Sequence, residues 1–238
     1  MAQTFEDFWN SGIHGASWPI NKTHAVYRLT YLTTITGLNE VGSGTFTNER
    51  STANKELKLP RHAESQMISH IEIEITNTHI GTVQALNSTK PAIEPWRTSS
   101  SIVTASSMTA WALKIFINYS PCAACSAELI NFKSRHNVFI EIIAAKPYYC
   151  QRLSCGGCNC IAEPEYSEGL RSLKRSGIVL RGFSYFDWVV LASHLGTVTP
   201  SLIMYNTQQP GTNFHYPQPN DSRASADANA CSDFNQIC

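Results

Sequence analysis

Two short motifs, His62-Ala63-Glu64 and Pro121-Cys122-Ala123-Ala124-Cys125, constrain this chain more than any other feature. Imidazole and thiolate are the ligands a tetrahedral zinc ion prefers, and Cys122 and Cys125 stand three apart, which puts both sulfurs on one face of a helix. With His62 as third ligand, the fold must bring two distant segments to one point. An H-x-E alone is common by chance, and a lone C-x-x-C is more often a buried pair or part of a redox or structural zinc motif. Here each motif opens a predicted helix, and the second follows a buried strand. That order argues for three protein ligands with the fourth position left to water, whose pKa drops to about 7 on the metal.

The flanking residues support this. Ser120 is placed to cap a helix, Pro121 suits its first turn, and the positive end of the helix dipole lowers the thiol pKa. His62 and Glu64, two apart, would face opposite ways on a regular helix, so His62 is expected at the cap. His70 lies about 12 Å along the helix from His62, too far to share an ion. It reads as a surface histidine.

Around these motifs the chain reads as one domain, residues 1–195, with a polar tail at 196–238 that is too poor in apolar residues to form a core and is expected to be largely disordered. Phe5, Phe8 and Trp9 recur at helical spacing. Residues 25–34 and 45–47 predict a β-hairpin separated by Gly42-Ser43-Gly44. Met67, Ile68, Ile71 and Ile75 continue a helical stripe from His62, and 76–107 reads as a Ser/Thr-rich insertion. Ala110–Ile117 and Val138–Ala145 are buried-strand candidates around a helix at 122–134. A helix ending at Gly177, a strand over 178–185 and a helix over 187–195 follow. Alternation of this kind implies an α/β sandwich.

The two motifs together match the H-x-E…P-C-x-x-C signature of zinc deaminases. Asn118-Tyr119-Ser120-Pro121-Cys122-Ala123-Ala124-Cys125 resembles the Trp-Ser-Pro-Cys-x-x-Cys segment of the AID/APOBEC family of polynucleotide cytidine deaminases. Ala144-Ala145-Lys146-Pro147-Tyr148-Tyr149-Cys150 resembles its aromatic loop. Ala162-Glu163-Pro164, Gly169-Leu170-Arg171-Ser172-Leu173 and Ser176-Gly177-Ile178 resemble later stretches, so the likeness spans roughly residues 5–195.

The resemblance implies an α/β, cytidine-deaminase-like fold, with a five-stranded mixed β-sheet flanked by helices on both faces. It implies Zn2+ on His62, Cys122 and Cys125, with a zinc-bound hydroxide attacking C4 of cytosine and Glu64 shuttling the proton to N3 and the leaving amine. Single-stranded DNA or RNA is the implied substrate. Tyr148, Tyr119, Ser120, His24 and Thr23 are the implied substrate-binding residues, although Tyr119 reads equally well as core. The family's asparagine shortly before the histidine has no counterpart at Leu57, with Asn54 somewhat further off, and its basic C-terminal helix is replaced by the polar tail.

Lysine plus arginine equals aspartate plus glutamate, 18 of each, so no strong overall positive field steers the protein onto nucleic acid. Local groups must serve: Arg61, with Lys55 and Lys58 before it, and Arg171, Lys174 and Arg175 are the phosphate-binding candidates, against the alternative of a solvated helix face. Cys150, Cys155, Cys158 and Cys160 could close a second, structural zinc site, or remain free thiols or redox-formed disulfides. No apolar run is long enough to span a bilayer and the N-terminus lacks signal-peptide character, which together imply the cytoplasm or nucleus and no membrane partner. Oligomeric state is left open. A deaminase of free cytidine, or a silent zinc-stabilised nucleic-acid-binding module, are the alternatives to polynucleotide editing.

Overall fold

In the computed structural model, residues 2–10, 23–33, 37–48, 62–88, 110–147, 164–196 and 222–236 are described. They form α1 (Ala2–Asn10), β1 (His24–Thr33), β2 (Gly37–Thr47), α2 (Ala63–Ser88), β3 (Ala110–Ile117), α3 (Ala123–His136), β4 (Val138–Ala144), α4 (Pro164–Arg175), β5 (Val179–Gly182), α5 (Tyr185–His194) and α6 (Ser222–Gln236). The strands make one sheet in the order β2-β1-β3-β4-β5. β1 runs antiparallel to β2 and β3, whereas β3, β4 and β5 are parallel. This mixed α/β sheet is consistent with the cytidine-deaminase-like fold that the resemblance implies.

Period-two alternation decides which strand residues face which helices. Trp111, Leu113, Ile115 and Ile117 of β3, with Val138, Ile140 and Ile142 of β4, turn to one face and bury against α2, α3 and α4. Phe116 and Ile143 turn to the other and meet Phe5 and Phe8 of α1 and Trp188 and Leu191 of α5. Helices therefore cover both faces. The alternating stretch at 71–75 is helical: Ile71 and Ile75 are buried one turn apart while Ile73 is exposed, as a 3.6-residue period demands.

Local chemistry sets the ends. α3 stops at Asn137 in the left-handed region, with Lys133, Arg135 and His136 in its last turn. α4 stops at Gly177, φ +75°, where Lys133 Nζ donates to the carbonyls of Ser176 and Gly177 at 2.8 Å each. Ser184 and Asp187 form a capping box that opens α5 earlier than position 187, and β5 is correspondingly shorter than the strand expected over 178–185.

Three expectations need correction. Gly42, Ser43 and Gly44 do not separate two strands but lie inside β2, opposite Leu29, Arg28 and Tyr27 in turn, next to a register shift at Leu29/Thr30. A side chain at Gly42 would collide with the carboxylate of Glu74 on α2, and one at Gly44 with the ring of Tyr27, so Gly42 lets the helix side chain lie close on the strand. The insertion expected from 76 is helical to Ser88, because α2 continues its hydrogen bonding beyond the stripe that anchors it; residues 89–107 lie outside the described residues. The tail expected to be largely disordered contains α6, which buries Ala226, Ala230 and Phe234 along β5. A helix docked on an existing core needs only one sparse apolar face, and composition alone understates that. No helix among the described residues is long and apolar enough to cross a membrane.

Candidate metal centre

β3 and β4 end side by side, Ile117 opposite Ala144, and the connections leaving them build the site. Ligand sites in open α/β sheets form at these carboxyl ends. The Ser120 N–H donates to the Lys146 carbonyl at 2.9 Å, tying the β3–α3 connection to the one after β4. Cys122, with φ −70° and ψ 172°, is the N-cap of α3. The cap expected at Ser120 is thus two residues early, and Cys122 makes no side-chain capping hydrogen bond, which leaves its sulfur to the site.

His62 directly precedes α2, and its carbonyl accepts from the Gln66 N–H at 3.2 Å, the capping position its spacing from Glu64 requires. His62 Nδ1 lies 3.6 Å from Cys122 Sγ and 3.3 Å from Cys125 Sγ. All three donor atoms fall within 4.8 Å of one another. Donors placed tetrahedrally at about 2.0–2.3 Å from a zinc ion stand about 3.5 Å apart, so this set fits such an ion. His62, Cys122 and Cys125 could therefore hold a metal ion, and an imidazole with two thiolates is compatible with zinc.

Electrostatics points the same way. The Cys122 thiol is held well below its usual range, first by the hydrogen bond from the Cys125 thiol and further by the N–H groups of Cys125 and Ala124, against the opposing effect of burial. Cys125, the donor in that bond and buried, is raised. Glu64 is only 3% exposed, and its Oε2 has no protein hydrogen-bond partner. Burial pushes its carboxyl up to about 7, with the neighbouring Cys122 charge adding to the rise. A buried carboxylate oxygen without a donor is expensive unless a ligand or ion faces it, and a dication nearby would pull the Glu64 pKa back down.

Of the substrate-binding candidates, Tyr119 and Ser120 are buried beside Cys122. The Thr23 N–H donates to Asn48 Oδ1 at 2.8 Å, and the Asn48 N–H donates back to the Thr23 carbonyl at 3.0 Å. His24 is buried with Nε2 on Asp7 and Nδ1 on Thr47, so both ring nitrogens are already used by protein. Tyr148 and Arg61 lie outside the described residues, as do Cys150, Cys155, Cys158 and Cys160 and the positions Leu57 and Asn54. Sequence reasoning misses Asn48, the partner that holds Thr23. Its signal is its place directly after β2, across from Thr23 in the hairpin register.

The phosphate candidates on α4 are paired within the protein. Arg171 and Arg175 pair with Glu168 at 3.8 and 2.6 Å, and Lys174 Nζ donates to the Phe234 carbonyl of α6 at 2.9 Å. The middle of α4 packs on the start of α3, with Gly169 against Ala123 beside Cys122. His70 is half-exposed and pairs with Glu74 at 3.4 Å, as a surface histidine would.

No model of a known protein family matches the sequence.

Proposed function

We propose that this chain is a zinc-dependent cytidine deaminase resembling the AID/APOBEC family, acting on cytosine in single-stranded DNA or RNA. The observation that carries the reading is the buried Glu64 carboxylate, its Oε2 without a protein partner, beside a His62/Cys122/Cys125 donor set of zinc-binding type. Zinc bound there would supply Lewis acidity that makes water a nucleophile near neutral pH. The protein's own part is proton handling. A buried carboxylate whose Oε2 is open can take a proton from the attacking water, deliver it to N3 of the pyrimidine, and carry a second water proton to the departing amine. Cytosine and water become uracil and ammonia. The α3 N-terminus stabilises the thiolate ligands, and the buried Tyr119 and Ser120 hold the connection that presents them.

A second reading, deamination of free cytidine or its nucleotides, is favoured by one observation: the basic groups of α4 are already paired within the protein, Arg171 and Arg175 with Glu168 and Lys174 with the Phe234 carbonyl.

Purified zinc-loaded protein incubated with single-cytosine DNA, the matching RNA and free cytidine separates these readings. Uracil in an oligonucleotide, lost by a factor of at least about 10² in Glu64→Ala with zinc content unchanged, is the expected result. Turnover of cytidine alone would replace the first reading with the second. No product from any substrate at full zinc occupancy would leave a binding protein.

A further inference from the structure

His24 is where the first helix, the paired strands and the site meet. Its ring is 5% exposed. Nε2 lies 2.7 Å from Asp7 Oδ2 on α1, and Nδ1 lies 2.9 Å from Thr47 Oγ1 at the end of β2. Its backbone N–H donates to Asn118 Oδ1 at 2.8 Å, and its carbonyl accepts from the Asn118 N–H at 3.3 Å. Two of these partners lead straight to the donor set. The Thr47 carbonyl accepts from Gln66 Nε2 at 3.0 Å, one turn along α2 from His62. Asn118 starts the connection that ends at Cys122.

We infer that His24, oriented by Asp7, is a positioning residue of the metal centre. The His24 backbone holds Asn118 and its ring holds Thr47, so the ring fixes the His62 end of α2, through Thr47, against the strand to which the Cys122 connection is tied. The inference rests on the reading of His62, Cys122 and Cys125 as metal ligands.

Packing alone does not require a histidine here. A phenylalanine would fill the space beside Phe8, whose ring centroid stands 6.3 Å away. It would leave the Asp7 carboxylate and the Thr47 hydroxyl without the imidazole that joins them. With the carboxylate accepting from Nε2–H, Nδ1 is left to accept from the Thr47 hydroxyl; were the ring protonated, Nδ1–H would donate to the same oxygen. The ring orientation is the same in either form, so the link holds α1 to the site across both. Groups behind metal ligands that fix their orientation typically change metal affinity by about 10–100-fold when removed, and one acting through a further bond belongs at the lower end.

The test uses the metal alone. Co2+ and Zn2+ affinities of the full chain are measured by competition with a chromophoric chelator, together with the visible absorption bands of the Co2+ form, for wild type, His24→Phe and His24→Gln. Glutamine places a nitrogen near the position of Nε2 and can keep the Asp7 arm. The expected result is affinity about 10-fold weaker with altered Co2+ bands in His24→Phe, and partial recovery of both in His24→Gln. Wild-type affinity and bands in a folded His24→Phe would overturn the inference and leave the metal reading intact. Absence of metal binding by wild type itself would instead overturn the metal reading, and the inference with it. Should His24→Phe fail to fold, Asp7→Leu, at the more exposed end of the same link, carries the same expectation and the same refutation.

Discussion

Glu64 and Asp187 are two buried carboxylates with opposite fates, and their partners explain why. Glu64 Oε2 has no protein donor, so burial lifts its pKa. Asp187 is also buried, which alone would raise it, but bonds from Arg181 at 2.9 Å or less and from Ser184 outweigh burial and hold it below the ordinary carboxylate value. A depressed folded-state pKa means that the contribution is fully present above the unfolded value, about 3.9, and is lost as pH falls through the folded value. Urea midpoints of the wild type should therefore drop on acidification below about pH 4. Asp187→Asn should lower stability at pH 7 by about 1–3 kcal/mol and flatten that acid slope. An unchanged slope in the variant would assign the acid sensitivity to other groups.

At the scale of elements, α6 is the sharpest departure from expectation. Ser222–Gln236 carries few apolar residues, yet Phe234 is 1% exposed against the sheet and Asp227 accepts from Trp188 Nε1 at 2.9 Å in a buried bond. The helix lies along β5, a four-residue edge strand whose open side needs covering. Phe234→Ala should cost about 3 kcal/mol in chemical denaturation. A disordered appendage would lose almost nothing, so the same measurement separates the two pictures. Among the elements that sequence patterning does identify, β3 and β4 are apolar runs that finish buried on both faces, and α3 and α4 are followed by a left-handed Asn137 and Gly177.

For the whole molecule, the donor set joins α2 to α3 across a gap in the chain, so metal occupancy should report on the stability of the entire fold. A ligand bound only to the native state stabilises by mass action. Chelation should lower the melting temperature by on the order of 5 °C, with Zn2+ restoring it, and His62→Ala should show a melting temperature insensitive to chelator. A wild type equally indifferent to chelator and to added Zn2+ would count against the metal centre. The sequence by itself determined the α/β class, the central strands and the three donors, because apolar period and ligand chemistry are written in residue types at short spacing. Only the tertiary structure decided what depends on neighbours remote in the chain. It placed Gly42 of β2 beneath Glu74, set Asn48 opposite Thr23, closed both nitrogens of His24 with Asp7 and Thr47, and gave Lys174 the carbonyl of Phe234, because each of these partners reaches its place through folding and not through spacing along the chain.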